Sequence, residues 1–147
     1  ENMKALVIQS IDSPDMLIKS LMQIKEEIPE QIKNLEEIAV SYQTGKDDIA
    51  SKKLEFFIDF IFNYGRTCYQ VAPVFEIDLD KIIIDDISLA EKNRKIQNLL
   101  DDIIEVMENN DIVSLSDILE YEMKSSLETL GNYIDLLISL LKKADDK

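Results

Sequence analysis

The stretch at 111–141 reads DIVSLSDILEYEMKSSLETLGNYIDLLISLL, and its apolar residues recur every three or four positions. The repeating positions are Leu115, Leu119, Met123, Leu127, Leu130, Ile134, Leu137 and Leu141. This spacing brings them to one side of an α-helix. Asp111 stands just before them, where an aspartate can cap the free amides of a helix start. We therefore predict one long amphipathic helix that buries a single apolar face.

The first of three further helical stretches starts at Pro14. Its apolar residues keep their phase across Pro29, which favours one kinked helix over two separate helices. Gly45 follows the last apolar position, and glycine commonly takes the left-handed conformation that ends a helix. We therefore predict a kinked helix from Pro14 to just before Gly45.

Two shorter helices are predicted between these. One starts at Asp47 or Asp48, either of which can cap it, and ends at Pro73. The other starts at Ser88, which together with Glu91 has the spacing of a capping box. With the stretches above, these make four long helices joined by short connections, which is the pattern of an antiparallel bundle.

Apolar and acidic residues alternate at the start of the segment from Phe75 to Ile87, and this period of two indicates extended backbone. The segment at 3–11 is rich in β-branched residues and also resembles a short strand. We expect its Ala5–Ile8 part to pair with the 75–87 segment as a short two-stranded β ribbon, packed on the helices. The chain is thus predicted to be a single domain over 1–147, mainly all-α.

The charge balance excludes two kinds of partner. The 147 residues include 30 acidic and 16 basic side chains, for a formal net charge of −14. This charge repels nucleic-acid backbones and anionic lipid, and no apolar run approaches the roughly 20 residues that span a bilayer. Glu1 does not begin a signal-peptide pattern, and the single cysteine, Cys68, favours a reducing compartment. We expect a cytoplasmic protein.

The composition also disfavours an enzyme. Histidine is absent, so a serine or cysteine nucleophile would lack its usual base, and zinc sites built from cysteine and histidine cannot form. Cys68 lies in an apolar helical run, which is typical of a core cysteine rather than a reactive one. The three glycines are too scattered for a phosphate-binding loop. We predict no cofactor.

Carboxylates are the one plentiful functional group, and they can hold Mg²⁺ or Mn²⁺. Glu105, Glu108 and Asp111 recur every three residues, so neighbouring members would project close together on a helix. All-helical nucleotide pyrophosphatases bind magnesium through Glu-x-x-Glu and Glu-x-x-Asp pairs. Here Glu27-x-x-Glu30 and Glu108-x-x-Asp111 match them in letters only. A solvated acidic face is the preferred interpretation, and a magnesium-dependent enzyme of that type is the alternative.

The second helix is apolar on more than one side. Phe56, Phe60 and Phe62 cannot all share the face used by Phe57 and Ile61. Neighbouring helices can cover the extra face, or another chain can. We predict Phe56, Phe60 and Phe62 as anchors for a partner helix lying in a groove, with a homodimer as a second way to cover them.

Two stretches, SYQTGKD at 41–47 and LSDILEYE at 115–122, resemble signatures of small acidic bacterial helical proteins that have no assigned activity. That resemblance implies architecture and carries no activity. In architecture alone, the chain is also similar to flagellar export chaperones, which hold a helical client in an apolar groove. The function is thus unknown from sequence, and a non-enzymatic interaction or adaptor bundle is the favoured interpretation.

Overall fold

The computed structural model describes residues 14–145, with side chains from 14 to 144, and these residues form four long helices. Helix α1 covers Pro14–Gln43, α2 covers Asp47–Val74 and α3 covers Leu89–Glu108. Helix α4 spans 112–145 in three parts, which are Ile112–Asp117, a π-helical Ile118–Met123 and Lys124–Asp145. The predicted mainly all-α bundle is confirmed. Among the described helices, none has the length and apolarity needed to cross a bilayer.

Helix α1 is a single helix with Pro29 inside it, as its unbroken apolar phase predicts. Its predicted apolar stripe is buried on both sides of Pro29, except for the half-buried Ile32. Gly45 follows the helix with a φ of +76°, a conformation that glycine adopts without steric cost. There the Lys46 amide donates to the Ser41 carbonyl at 2.8 Å, which closes the turn into α2.

Helix α2 departs from the prediction at its start. The N-cap residue is Lys46, whose side chain forms no capping hydrogen bond. Asp47 and Asp48 lie within the first turn instead, where their carboxylates still favour the positive end of the helix dipole. At the other end Pro73 lies within the last turn, and α2 ends at Val74.

The connection between α2 and α3 contains a tight β-hairpin. Strand β1 (Ile83–Ile84) pairs antiparallel with β2 (Ile87–Ser88). The two turn residues, Asp85 and Asp86, have φ angles of 51° and 65°. A two-residue type I′ turn requires this pair of left-handed conformations, and aspartate tolerates them better than most residues do.

The predicted two-stranded ribbon is therefore present, but it forms within one segment. Strands that follow one another directly can pair through a very short loop, and a short loop costs the least conformational entropy to close. The expected partner, Ala5–Ile8, lies outside the described residues. Leu79–Lys81 form a 3₁₀ turn rather than the extended strand that the alternation predicts. The hydroxyl of Tyr133 in α4 donates to the Ile87 carbonyl at 2.9 Å and so ties the hairpin to the bundle.

Ser88 and Asp111 act as helix caps, as predicted. The Ser88 hydroxyl accepts the Glu91 amide at 3.1 Å, and the Asp111 carboxylate accepts the Ser114 amide at 3.1 Å. Ser114 Oγ donates a second hydrogen bond to Asp111 at 2.6 Å. Helices α3 and α4 therefore start at the positions that the sequence indicates.

The predicted helix at 111–141 is continuous, but its π-helical part was not predicted. Core positions Leu115, Leu119, Met123 and Leu127 follow at steps of four. In an α-helix each such step overshoots a full turn by about 40°, so three steps rotate the apolar stripe by about 120°. The wider π turn offsets that rotation. All four side chains are accordingly buried, with at most 2% exposed.

The helices pack in the order α2, α1, α4, α3. Antiparallel contacts join neighbouring pairs. Lys53 Nζ lies 2.8 Å from Glu37 Oε2 between α2 and α1, and Lys25 Nζ lies 2.6 Å from Asp135 Oδ1 between α1 and α4. The backbones of α2 and α3 lie farther apart than those of the packed pairs. The bundle therefore has one open side.

A polar pair is buried between α1 and α2. The Asn34 amide donates to Gln31 Oε1 at 3.2 Å and to the Lys53 carbonyl at 2.9 Å. Gln31 is fully buried, and its Nε2 has no hydrogen-bond acceptor among the described residues. An unpaired buried donor costs about 1–3 kcal/mol. This side chain is therefore a local weakness in the core.

Candidate functional site: an apolar groove between α2 and α3

The open side of the bundle forms a groove of about 910 Å³, which we name the α2–α3 groove. Helix α2 forms one wall, α3 forms the other, and the connection after α2 closes one end. Its apolar lining includes Ile61, Phe62, Ile77, Leu79 and Ile96. The volume lies within the range of about 300–1,000 Å³ that is usual for ligand sites.

The floor of the groove is neutral. Tyr64 is buried, and its hydroxyl donates to Asn93 Oδ1 at 2.7 Å, which joins the two walls. Cys68 lies one turn further along α2 and is a buried free thiol. Burial raises the pKa of the Tyr64 hydroxyl well above its usual value and raises the pKa of the Cys68 thiol. The prediction that Cys68 is a core residue is confirmed.

Two aromatic side chains at the rim of the groove are largely exposed. Phe62 is 59% exposed and Tyr69 is 79% exposed, and both line the groove. They are seven residues apart, about two helical turns, so they lie on the same side of α2. Exposed aromatic rings beside an apolar channel are typical of an interaction surface.

The charged side chains of the groove are unevenly distributed. Arg66 lies part-way along the α2 wall, whereas Glu76 and Asp78 lie where the groove is closed after α2. The last turn of α2 contains no basic residue. Within residues 14–144, neither Glu76 nor Asp78 forms an ion pair. The closed end of the groove is therefore negative.

The three predicted anchor residues do not share one surface. Phe62 lines the groove, and Phe60 is a core residue with 3% exposure. Phe56 is 44% exposed and borders a separate depression beside Lys52 and Lys53. The prediction is therefore corrected for Phe60, because α2 turns its side chain inward with Phe57. Phe56 and Phe62 are six positions apart, about 240° around the helix, so they face different ways.

The carboxylates of Glu105, Glu108 and Asp111, named as the alternative metal ligands, are not brought together as a cluster among the described residues. Glu105 and Glu108 are exposed. The Asp111 carboxylate is engaged by Ser114, whose hydrogen bonds lower the pKa of Asp111. Among the described residues, no three acidic, cysteine or histidine side chains come together so that they could hold a metal ion.

Sequence reasoning missed Tyr69, Tyr64 and Asn93 as groove residues. One signal was available, since Phe62 and Tyr69 have the seven-residue spacing of neighbours on one helix face. Nothing in the sequence paired Tyr64 with Asn93, because that contact depends on how far apart α2 and α3 pack.

A family model described as a domain of unknown function (DUF8042) matches residues 19–133. The chain belongs to this family. The match includes α2, α3 and every residue that lines the α2–α3 groove. Neither a curated protein nor a solved structure matches the chain. The resemblance to a family without an assigned activity is confirmed, and the family supplies no activity for this chain.

Proposed function

We propose that this chain is a protein-interaction module that receives an apolar helical segment of a partner in the α2–α3 groove. The supporting observation is an apolar channel of about 910 Å³ beside the exposed rings of Phe62 and Tyr69. Amphipathic helices bind by laying their apolar face into such grooves. Aromatic side chains are also enriched among the residues that dominate interface energies.

The exposed area of the two rings sets the scale of the interaction. A fully covered aromatic side chain buries about 150–250 Å². With 59% of Phe62 and 79% of Tyr69 exposed, covering both rings removes roughly 250 Å² from water, or about 6 kcal/mol in gross terms. The translational and rotational freedom that two molecules lose on association costs about 4–15 kcal/mol. Stable binding therefore also needs the apolar groove walls, which include Ile77 and Ile96.

A foreign partner is favoured over a second copy of the chain. Two copies with a formal charge of −14 each repel one another, whereas a partner with basic residues is attracted. The buried free thiol of Cys68 suits a reducing compartment, so we expect the partner in the cytoplasm.

The alternatives differ in their support. A chaperone of a helical client would use the same groove and is a narrower form of this proposal. A magnesium-dependent nucleotide pyrophosphatase would need a carboxylate cluster, and the described residues contain none that could hold the metal.

The test compares two exposed phenylalanines on the same helix. Wild-type protein, Phe62→Asp and Phe56→Asp are each tagged and incubated with native cell extract, and any protein that they retain is purified and titrated directly. A photo-crosslinking residue at position 69 then maps the segment that is bound. We expect the partner to be kept by wild type and Phe56→Asp, lost by Phe62→Asp, and crosslinked through a helical segment. A partner that both variants keep, or that both lose, contradicts the groove as the binding site.

A further inference from the structure

The α2–α3 groove is apolar along its walls and negative at its closed end. We infer that its occupant is an amphipathic helical segment with a basic flank, and that the basic flank lies at Glu76 and Asp78. This inference rests on the proposed function and adds the chemistry and the direction of charge that the partner must have.

The closed end of the groove attracts a cation for three reasons. The C-terminus of a helix carries about half a negative charge, and α2 ends here without a basic residue in its last turn. Glu76 and Asp78 add two carboxylates that have no ion-pair partner among the described residues. Lys81 and Lys143 border a second depression that Glu76 and Asp78 also line, but among the described residues neither lysine lines the groove or forms an ion pair with these carboxylates.

The rest of the groove has the opposite character. Arg66 is the only basic side chain among the described residues that line it, and the remaining wall is mostly apolar. A segment that is basic throughout would therefore lie against Arg66, and a wholly apolar segment would leave the carboxylates without a counter-charge. The matching segment is apolar on one face and basic at one end.

The dimensions of the groove suit a helix that is partly sunk into it. The helical wall from Ile61 to Pro73 corresponds to about 18 Å at 1.5 Å per residue, and the connection after α2 extends it. A 14-residue helix is about 21 Å long and about 10 Å across, so it occupies roughly 1,600 Å³. A groove of about 910 Å³ therefore takes roughly one face of it. Apolar side chains at helical spacing would contact Phe62, Ile77 and Ile96, which line both walls and the closed end.

A synthetic peptide provides the probe. It has 18 residues, leucines at helical spacing, one tryptophan on the apolar face and four lysines at one end. A second peptide has four glutamates in place of the lysines. Because the protein itself contains no tryptophan, the emission of the peptide reports directly on its burial. We expect the lysine peptide to bind with blue-shifted emission, and the glutamate peptide to bind about tenfold more weakly or not at all.

Two charge-matched variants locate the basic flank. Glu76→Gln with Asp78→Asn removes two carboxylates at the groove end, and asparagine at 78 can still accept the Asp80 amide that Asp78 accepts now. Glu105→Gln with Glu108→Gln removes the same charge from exposed positions outside the groove lining. We expect the first pair to weaken the lysine peptide about fivefold and the second pair to weaken it less than twofold. Circular dichroism verifies that both variants are folded.

Several outcomes would overturn the inference. Equal weakening by both variants means that net charge alone attracts the peptide. Failure of the lysine peptide to bind, or binding that Phe62→Asp leaves unchanged, removes this occupant from the groove. These results leave the proposed function separately testable, because that proposal depends on whether Phe62→Asp loses a purified natural partner and not on the charge of a peptide.

Discussion

Phe60 and Phe62 are two positions apart on α2, and the structure predicts opposite consequences for their replacement by alanine. Phe60 is 3% exposed and belongs to the core, whereas Phe62 is 59% exposed and lines the groove. We expect Phe60→Ala to destabilise the fold and leave any surviving folded protein with an intact groove rim. Phe62→Ala should leave the fold nearly unchanged and weaken partner binding.

The magnitudes follow from burial. Truncating a buried phenylalanine to alanine costs about 3–5 kcal/mol, which is the lost transfer energy plus the cavity left behind. Full burial of a phenylalanine contributes about 1.5–3 kcal/mol, and Phe62 has only about two fifths of its surface covered. Its truncation therefore removes about 0.6–1.2 kcal/mol, and the better helix propensity of alanine returns about 0.5 kcal/mol. The net loss at Phe62 is below about 1 kcal/mol.

Urea unfolding followed by circular dichroism separates these values. With a slope of about 2 kcal/mol per molar urea, Phe60→Ala lowers the unfolding midpoint by about 1.5–2.5 M, and Phe62→Ala lowers it by less than about 0.5 M. Phe56→Ala serves as the control for an exposed aromatic outside the groove and should behave like Phe62→Ala. Comparable losses at Phe60 and Phe62 would refute the assignment of one side chain to the core and the other to the groove.

Three further predictions concern buried polar groups. Gln31→Met removes the unpaired Nε2 donor and also the oxygen that accepts one hydrogen bond from Asn34. We expect the free energy of unfolding, measured with urea, to rise by about 1 kcal/mol. A fall in that free energy would mean that Nε2 has an acceptor. Burial raises the pKa of the Cys68 thiol in the folded state above its unfolded value of about 8.5. The contribution of the neutral thiol to the free energy of unfolding is therefore fully present below about pH 8.5, and it is lost as the pH rises from there through the folded-state pKa. Wild type should thus lose up to about 1.4 kcal/mol relative to Cys68→Ala between pH 7 and pH 9.5, and equal pH profiles would contradict the raised pKa. Tyr133→Phe removes the donor to the Ile87 carbonyl and should cost about 1 kcal/mol, with faster amide exchange in the hairpin; unchanged exchange would show that the hairpin does not depend on Tyr133.

The sequence predicted local features well where one element carries the whole signal. The caps at Ser88 and Asp111, the helix end before Gly45 and the continuity of α1 across Pro29 depend only on neighbouring residues. The cap expected at Asp47 or Asp48 was wrong, since the N-cap residue, Lys46, lies one or two positions earlier. Capping depends on which residue adopts the non-helical conformation, and residue type alone does not decide that.

The candidate site was predicted less well. The apolar excess of α2 pointed to the helix that forms one wall of the groove, but the sequence could not separate Phe60, which faces the core, from Phe62, which lines the groove. An apolar residue on α2 can lie in the core or in the groove, because the number of helices packed around α2 decides how much of its surface is covered. The carboxylates at 105, 108 and 111 are evenly spaced along the chain. Among the described residues, that spacing does not bring them into an arrangement that could hold a metal ion.

The sequence by itself determined the four helices, their caps and the apolar stripes that join them in a bundle, because periodicity and capping are properties of adjacent residues. The tertiary structure alone decided the π turn at Ile118–Met123, the hairpin formed within one segment, and the separation of α2 from α3. The separation of α2 from α3 depends on how elements distant in sequence pack, whereas the π turn and the hairpin are choices between local backbone geometries that the residue pattern alone does not distinguish. The α2–α3 groove therefore follows from the packing of α2 on α1 and of α3 on α4, and no pattern along the chain encodes the distance between α2 and α3.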